Sequence, residues 1–197
     1  MNSPRTPGQR AGLTTQQVVD AARELLTQHG PEGLSMRAVA RALDVSPNAL
    51  YSHVDSKTAM IDQVLDDVLA QVVTPDLEVV DPLEGLHLLM TSTYEVLLDH
   101  SELVSLYLSR QGARGMHAQR LGQTMLTLLD RAGVTGPAAT EALRVLIVYA
   151  IGFAAFTTAA DVPVGPPSAG EDERDGNFRA GLRWLLAGLS RPAGMDG

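Results

Sequence analysis

The stretch LSMRAVARALDVSPNALYSHVDSK, residues 34–57, decides the fold. Ser35 stands where a side-chain oxygen can cap a helix, and Met36, Val39, Ala40 and Leu43 follow at helical spacing, so a short helix is predicted with these residues inward. It stops at Asp44, a residue type that tolerates the left-handed conformation of a tight turn. Ser46 is the next cap candidate, and Pro47 takes the first helical position, where its missing amide costs nothing. This second helix is expected to run for about seven residues, ending near His53. Two short helices joined by Leu43-Asp44-Val45 form a helix-turn-helix, the arrangement that lays its second helix in the major groove of DNA. On that helix Leu50 points inward, Asn48 and Ser52 point nearly opposite, and Ala49 and Tyr51 lie to either side. The outward face is small and polar, with no long acid to repel phosphate.

The flanks extend the helical pattern in both directions. Thr14-Thr15-Gln16-Gln17 has the capping-box form, with Leu13 and Val18 at staple positions. Val18, Val19, Ala22, Leu25 and Leu26 then follow at helical spacing, and Gly30 closes a first helix over about 15–29. Pro4, Pro7, Gly8 and Gly12 make residues 1–12 a flexible arm. On the other side, Asp55 and Ser56 can cap a fourth helix whose apolar stripe, Met60, Ile61, Val64, Leu65, Val68 and Leu69, leads down to Val73; Pro75 closes it. Further apolar helical segments fall at about 83–99, 101–111, 116–133, 138–160 and 178–190. Residues 161–177, DVPVGPPSAGEDERDGN, lack any hydrophobic period and are expected to form a mobile surface loop. No run reads as a strand, so the expected fold is all-α.

Composition bounds the function. The net charge of −8 is unevenly spread: residues 1–57 carry six basic and five acidic side chains, a net +1, while residues 58–197 carry nine basic and 18 acidic, a net −9. A near-neutral head on an acidic body marks where nucleic acid would have to bind. Cysteine is absent, which removes disulfides, thiolate nucleophiles and cysteine zinc sites and suits a reducing cytoplasm. The N-terminus lacks the apolar core of a signal peptide. The apolar run 145–160 is shorter than the roughly 20 residues that span a bilayer, so no membrane association is expected. His87, His100 and His117 stand far apart with no second ligand at helical spacing, which argues against a metal. No Gly-x-Ser-x-Gly elbow, phosphate-binding glycine loop or paired acid and base is present. Neither an enzyme nor a cofactor is expected.

From Leu13 to about Leu69 the sequence resembles the DNA-binding domain of the TetR (tetracycline repressor) family of transcriptional regulators. The features that carry the resemblance are a helix ending in His29-Gly30, the run 33–40, GLSMRAVA, the run 45–54, VSPNALYSHV, and Asp55-Ser56-Lys57. The resemblance implies an N-terminal three-helix helix-turn-helix domain, 13–57, a connecting helix, 58–73, and a C-terminal helical ligand-binding and dimerisation domain, 74–197. It implies that Ser35 binds a phosphate and that Arg37 reaches a base edge. Ser46, Pro47, Asn48 and Ala49 match base-facing positions, and Tyr51, His53 and Lys57 match phosphate contacts. Arginine and asparagine can pair twice with guanine and adenine, whereas the other groups near phosphate set register. Plainer roles exist for the same residues: a solvated charge for Arg37, a packing ring for Tyr51, a hydrogen-bonded corner for His53. Lys57 in the first turn of a helix is disfavoured by the helix dipole unless an anion is expected there.

In the body, the segment 145–156 is apolar on every side and must be covered on every side. The resemblance implies that the last two long helices pair with those of a second subunit. Ala150 and Ala154, which permit close approach, and Leu182, Trp184, Leu185, Leu186 and Leu189 are the candidates for this homodimer interface; the leucines have monomer core as their alternative. The resemblance also implies an effector pocket between 83–133 and 138–160, with His87, Met90, Tyr94, Leu97, Tyr107, His117, Met125, Tyr149, Phe153 and Phe156 as candidate lining, although core packing explains any one of them as well. Tetracycline does not follow from a DNA-binding domain. The leading expectation is a repressor that binds a pseudo-palindromic double-stranded operator as a homodimer and is released by a small, largely apolar effector. The alternative is a constitutive or architectural DNA-binding factor without an effector.

Overall fold

A computed structural model describes residues 12–159 and 171–189. Among these the chain forms α1 (Thr15–Gly33), α2 (Met36–Ala42), α3 (Pro47–Leu50), α4 (Lys57–Val68), α5 (Pro82–Asp99), α6 (Val104–Arg110), α7 (Met116–Arg131), α8 (Gly136–Thr158) and α9 (Glu171–Leu189), with single 3-10 turns at Leu69–Gln71 and Ser101–Leu103. It divides into two compact units, Met1–Val64 and Leu65–Gly197, the boundary falling inside α4.

The local signals of the first unit act as their chemistry dictates. The Thr14 hydroxyl accepts the Gln17 amide at 3.1 Å while the Gln17 side chain accepts the Thr14 amide at 2.9 Å, a complete capping box. Gly30 takes φ 65° and breaks the helical path, so that α1 continues to Gly33 only across a kink. Ser35 accepts the Ala38 amide at 3.1 Å, Asp44 adopts φ 51° in the turn, and Ser56 accepts the Ala59 amide at 3.1 Å ahead of α4. Val18, Ala22, Val39, Leu50, Met60 and Val64 are fully buried and form the core of this unit. Two expectations are corrected. Ser46 precedes α3 without a side-chain capping bond, and regular helix ends at Leu50, with Tyr51, Ser52 and His53 in turns held by His53 and Val54 amides on the Leu50 carbonyl.

In the second unit α5 packs on α7, α8 and α9, and α8 packs on α6, α7 and α9. The connecting helix is shorter than expected: α4 stops at Val68, a 3-10 turn follows, and Val73 is exposed. Residues 1–11 of the expected arm and 161–170 of the expected loop lie outside the described residues, but 171–177 belong to α9, so that part of the loop reading is overturned. Glu and Arg are good helix formers, and acids suit the start of a helix, which outweighs the lack of an apolar period over 171–175. Helix α8 is long and apolar enough by length and composition to cross a bilayer, yet it packs on four helices of the body with Ala139, Ala142, Leu146, Ala150 and Ala154 inward.

One charged residue among the described residues is buried, Asp66, on the last turn of α4. Its carboxylate accepts the amides of His117 at 3.1 Å and Ala118 at 2.8 Å, so it caps α7 from another helix. The positive end of the helix dipole and two N–H donors offset the desolvation of the charge. Gly115 makes this possible, because a Cβ there would lie 2.2 Å from the Asp66 carboxyl carbon. Asp66→Ala is therefore expected to lower stability by about 1–3 kcal/mol, the cost of orphaning two helix-end donors, and urea unfolding of the variant against the native protein measures it.

Candidate DNA-binding and ligand sites

The first unit presents the residues of the expected DNA face to solvent. Ser35, Arg37, Ser46, Pro47, Asn48 and Tyr51 are exposed, while Ala49, His53 and Lys57 are half-buried. Leu50, fully buried, anchors α3 and turns Asn48 outward. Tyr51 is 54% exposed. His53 does hold a corner: its Nδ1 pairs with the Thr15 hydroxyl at 3.2 Å. Lys57 donates to the Pro31 carbonyl at 2.7 Å, which ties the start of α4 to the segment after the α1 kink. An ammonium has three donors, so two remain for an anion.

The body holds a partly open cavity of about 130 Å³ between α5, α6, α7 and α8. Of the expected lining residues, Met90, Leu97, Tyr107 and Met125 face it. Its remaining wall includes Leu69, Thr93, Leu121, Gly122, Ala150 and Ile151, none of them among the expected lining residues. His87, Tyr94, His117, Tyr149, Phe153 and Phe156 do not line it, and each has a physical reason. Tyr94 stacks on Phe178 at 4.0 Å between ring centroids, Tyr149 stacks on Phe178 at 5.2 Å, and Phe153 meets Tyr94 edge-on at 5.8 Å. These four rings join α5, α8 and α9 into solid core, with the Tyr149 hydroxyl donating to the Phe178 carbonyl and the Tyr94 hydroxyl paired with Thr157. Phe156 points to solvent at 58% exposure. His117 lends its backbone amide to Asp66, and His87 keeps a buried Nε2 without a hydrogen-bond partner.

Tyr107 connects the cavity to α4. Its ring lines the cavity while its hydroxyl donates to the Leu65 carbonyl at 2.5 Å. Burial first, then the charges of Asp66 and Asp67, push its ionisation far above the ordinary tyrosine range, so the proton stays on the donor at any physiological pH. Beside it Leu69 lines the same cavity, and Asp66 caps the helix that brings Leu121 and Met125 to the opposite wall.

The proposed dimer residues separate by exposure. Ala150, Ala154, Leu182 and Leu186 are sealed inside the subunit, and Ala150 belongs to the cavity wall. In the isolated subunit they offer almost no surface to a second copy. The exposed apolar surface of α8 and α9 comes instead from Trp184 at 78%, Val148 at 63%, Phe156 and Val145, with Leu185 and Leu189 half-buried beside them.

Residues 18–64 match the family described as bacterial regulatory proteins, tetR family. The chain is 28% identical to an HTH-type transcriptional regulator of Saccharopolyspora erythraea over 93% of this chain and 87% of that one. Its fold matches BioQ of Mycobacterium smegmatis with a TM-score of 0.74 and 29% identity, covering 90% of this chain and 98% of that chain. A structure of BioQ with its double-stranded DNA operator also matches, with a TM-score of 0.68, 28% identity and cover of 91% and 99%. A variant TetR of Acinetobacter baumannii AYE in complex with minocycline matches with a TM-score of 0.76 and 28% identity, covering 91% and 98%. A helix-turn-helix unit joined to an all-helical body, with this likeness, defines a transcriptional regulator and not an enzyme. Through residues 18–64 and its overall fold class the chain is similar to TetR-family regulators, which typically bind operator DNA and small-molecule effectors as homodimers. No group of three metal-ligating side chains occurs among the described residues.

Tyr107→Phe removes the hydroxyl that holds Leu65 and leaves the ring in place. It is expected to cost roughly 0.5–1.5 kcal/mol in urea unfolding, the net worth of one hydrogen bond. A larger loss would mean that the ring itself is displaced.

Proposed function

We propose that this protein is a ligand-responsive repressor of the cytoplasm that binds a pseudo-palindromic operator as a homodimer and releases it when a small, largely apolar effector enters the body. The observation that carries the DNA reading is the exposed polar face of the first unit, where Arg37 and Asn48 stand in solvent on elements anchored by Val39 and Leu50. Arg37, Ser46, Pro47, Asn48 and Ala49 meet base edges; Ser35, Tyr51, His53 and Lys57 meet phosphates. The likeness to a regulator solved on its operator supports this assignment. Arg37→Ala and Asn48→Ala are expected to cost on the order of 1–3 kcal/mol on the operator and to relax base preference, while Lys57→Ala weakens all sequences alike. Gel-shift titration with operator and scrambled duplex distinguishes the two patterns. Equal affinity of the native protein for both duplexes would defeat the repressor reading.

The dimer reading rests on Trp184, a large ring 78% exposed in the isolated chain, and on the apolar exposed side of α8. Two half-sites need two heads, and a surface of this kind is covered by a second copy. Sedimentation at micromolar concentration is expected to give twice 21.0 kDa, and Trp184→Glu to shift the species towards monomer and weaken operator binding. A native protein that sediments as monomer refutes the assignment.

The effector acts through α4, which carries residues of both units. Its last turn is held by the Tyr107 hydroxyl, by Asp66 on α7 and by Leu69 in the cavity wall, so a ligand that displaces these groups shifts the helix that begins at Lys57. A ligand works only if it prefers the released state, and coupling of about 1–3 kcal/mol weakens operator binding roughly 5- to 150-fold. Operator must weaken ligand binding by the same factor. An effector that binds tightly and leaves operator affinity unchanged would favour the constitutive factor instead.

A further inference from the structure

The wall of the cavity between α5, α6, α7 and α8 contains no charged side chain. Its hydroxyl protons are already committed, Thr93 donating to the Leu89 carbonyl at 2.8 Å and Tyr107 to the Leu65 carbonyl. An ion placed there would lose its hydration without gaining a counter-charge. The size is equally restrictive. A cavity of about 130 Å³ is close to the roughly 150 Å³ apolar cavity that is known to stay dry and to take up benzene.

A second space adjoins it. A groove of about 560 Å³ between α6 and α8 shares Tyr107, Gln111, Ile147 and Ile151 with the cavity, so these four side chains form the partition. The groove, unlike the cavity, carries Arg144 and Thr140. Gln111 sits on the partition in the left-handed conformation, φ 58°, followed by Gly112 at φ 91°. A charged side chain therefore stands on the groove side of Gln111 and none on the cavity side.

Resting on the effector reading above, we propose that the inner cavity binds a compact, uncharged hydrocarbon group of about benzene size, and that any polar part of the same molecule lies outside the partition, past Gln111. The cavity selects against a charge on the inserted group. Two positions offer a direct control. Ala150 is fully buried on the cavity wall, and a Cβ added at Gly122 would meet no atom within 4 Å. Larger side chains at either position occupy the space that the ligand needs.

The test is thermal unfolding of the full chain with toluene and with benzoate, two molecules of similar girth that differ in charge. Toluene near saturation is expected to raise the melting temperature by roughly 2–4 °C, and benzoate at equal concentration to leave it unchanged. In Ala150→Leu and in Gly122→Leu the toluene shift is lost; two variants are used so that a folding defect in one leaves the other as readout. A toluene shift that is absent, matched by benzoate, or retained in both folded variants overturns the proposal. Operator titration of the native protein with toluene present tests the regulatory reading separately. Specific operator binding with no toluene shift leaves the repressor reading standing and removes the cavity assignment. A toluene shift that leaves operator affinity unaltered keeps the cavity assignment and removes the effector reading.

Discussion

A single buried carboxylate organises the body. Asp66 leaves water in a unit whose sequence is strongly acidic, and its compensation is two backbone amides at the start of α7. Charge-assisted bonds of this kind are roughly twice as strong as neutral ones, and their geometry is fixed by the helix that supplies the donors. The last turn of α4 is thereby set against α7, which in turn places Leu121 and Met125 across the cavity from Met90. One residue earlier, the Leu65 carbonyl receives the Tyr107 hydroxyl, so adjacent positions on α4 bind two different helices. The close approach needs Gly115, since any larger residue would occupy the place of the carboxylate.

Around that fixed point the body divides its apolar content into three uses. The rings of Tyr94, Tyr149, Phe153 and Phe178 stack into a filled core. Methionine, leucine and small side chains leave a void between α5, α7 and α8. Trp184, Val148 and Phe156 remain outside. Helix α8 takes part in all three, which accounts for a sequence that is apolar on every side: Phe153 joins the rings, Ala150 and Ile151 bound the void, and Val148 faces outward.

The first unit follows a different logic, in which local chemistry is enough. Its helices are short and each is delimited by a residue with one evident task, a hydroxyl cap at Thr14, Ser35 and Ser56, a left-handed turn at Gly30 and Asp44, a proline at the start of α3. Lys57 adds a longer tie to the Pro31 carbonyl and His53 one to Thr15, which hold the segment after α3 against α1.

What the amino-acid sequence determines by itself is therefore the helix-turn-helix, its Thr14 and Ser35 caps, the buried Val39 and Leu50, and the polar outward face with Arg37 and Asn48, because each of these depends on neighbours within about four residues, whereas the Ser46 cap and the length of α3 are not legible in this way. Only the tertiary structure decides which inward residues touch one another. Met90 and Tyr94 lie one turn apart on α5 and both are expected to line the cavity, yet one bounds it and the other fills a ring stack, because Phe178 arrives from α9 beside the second. Leu182 and Trp184 are two positions apart on α9, and the helical turn of about 100° per residue buries the one and exposes the other. Asp66 looks like one more acid in an acidic chain; its role exists only because residues 115–118, about fifty positions later, return to it with free amides.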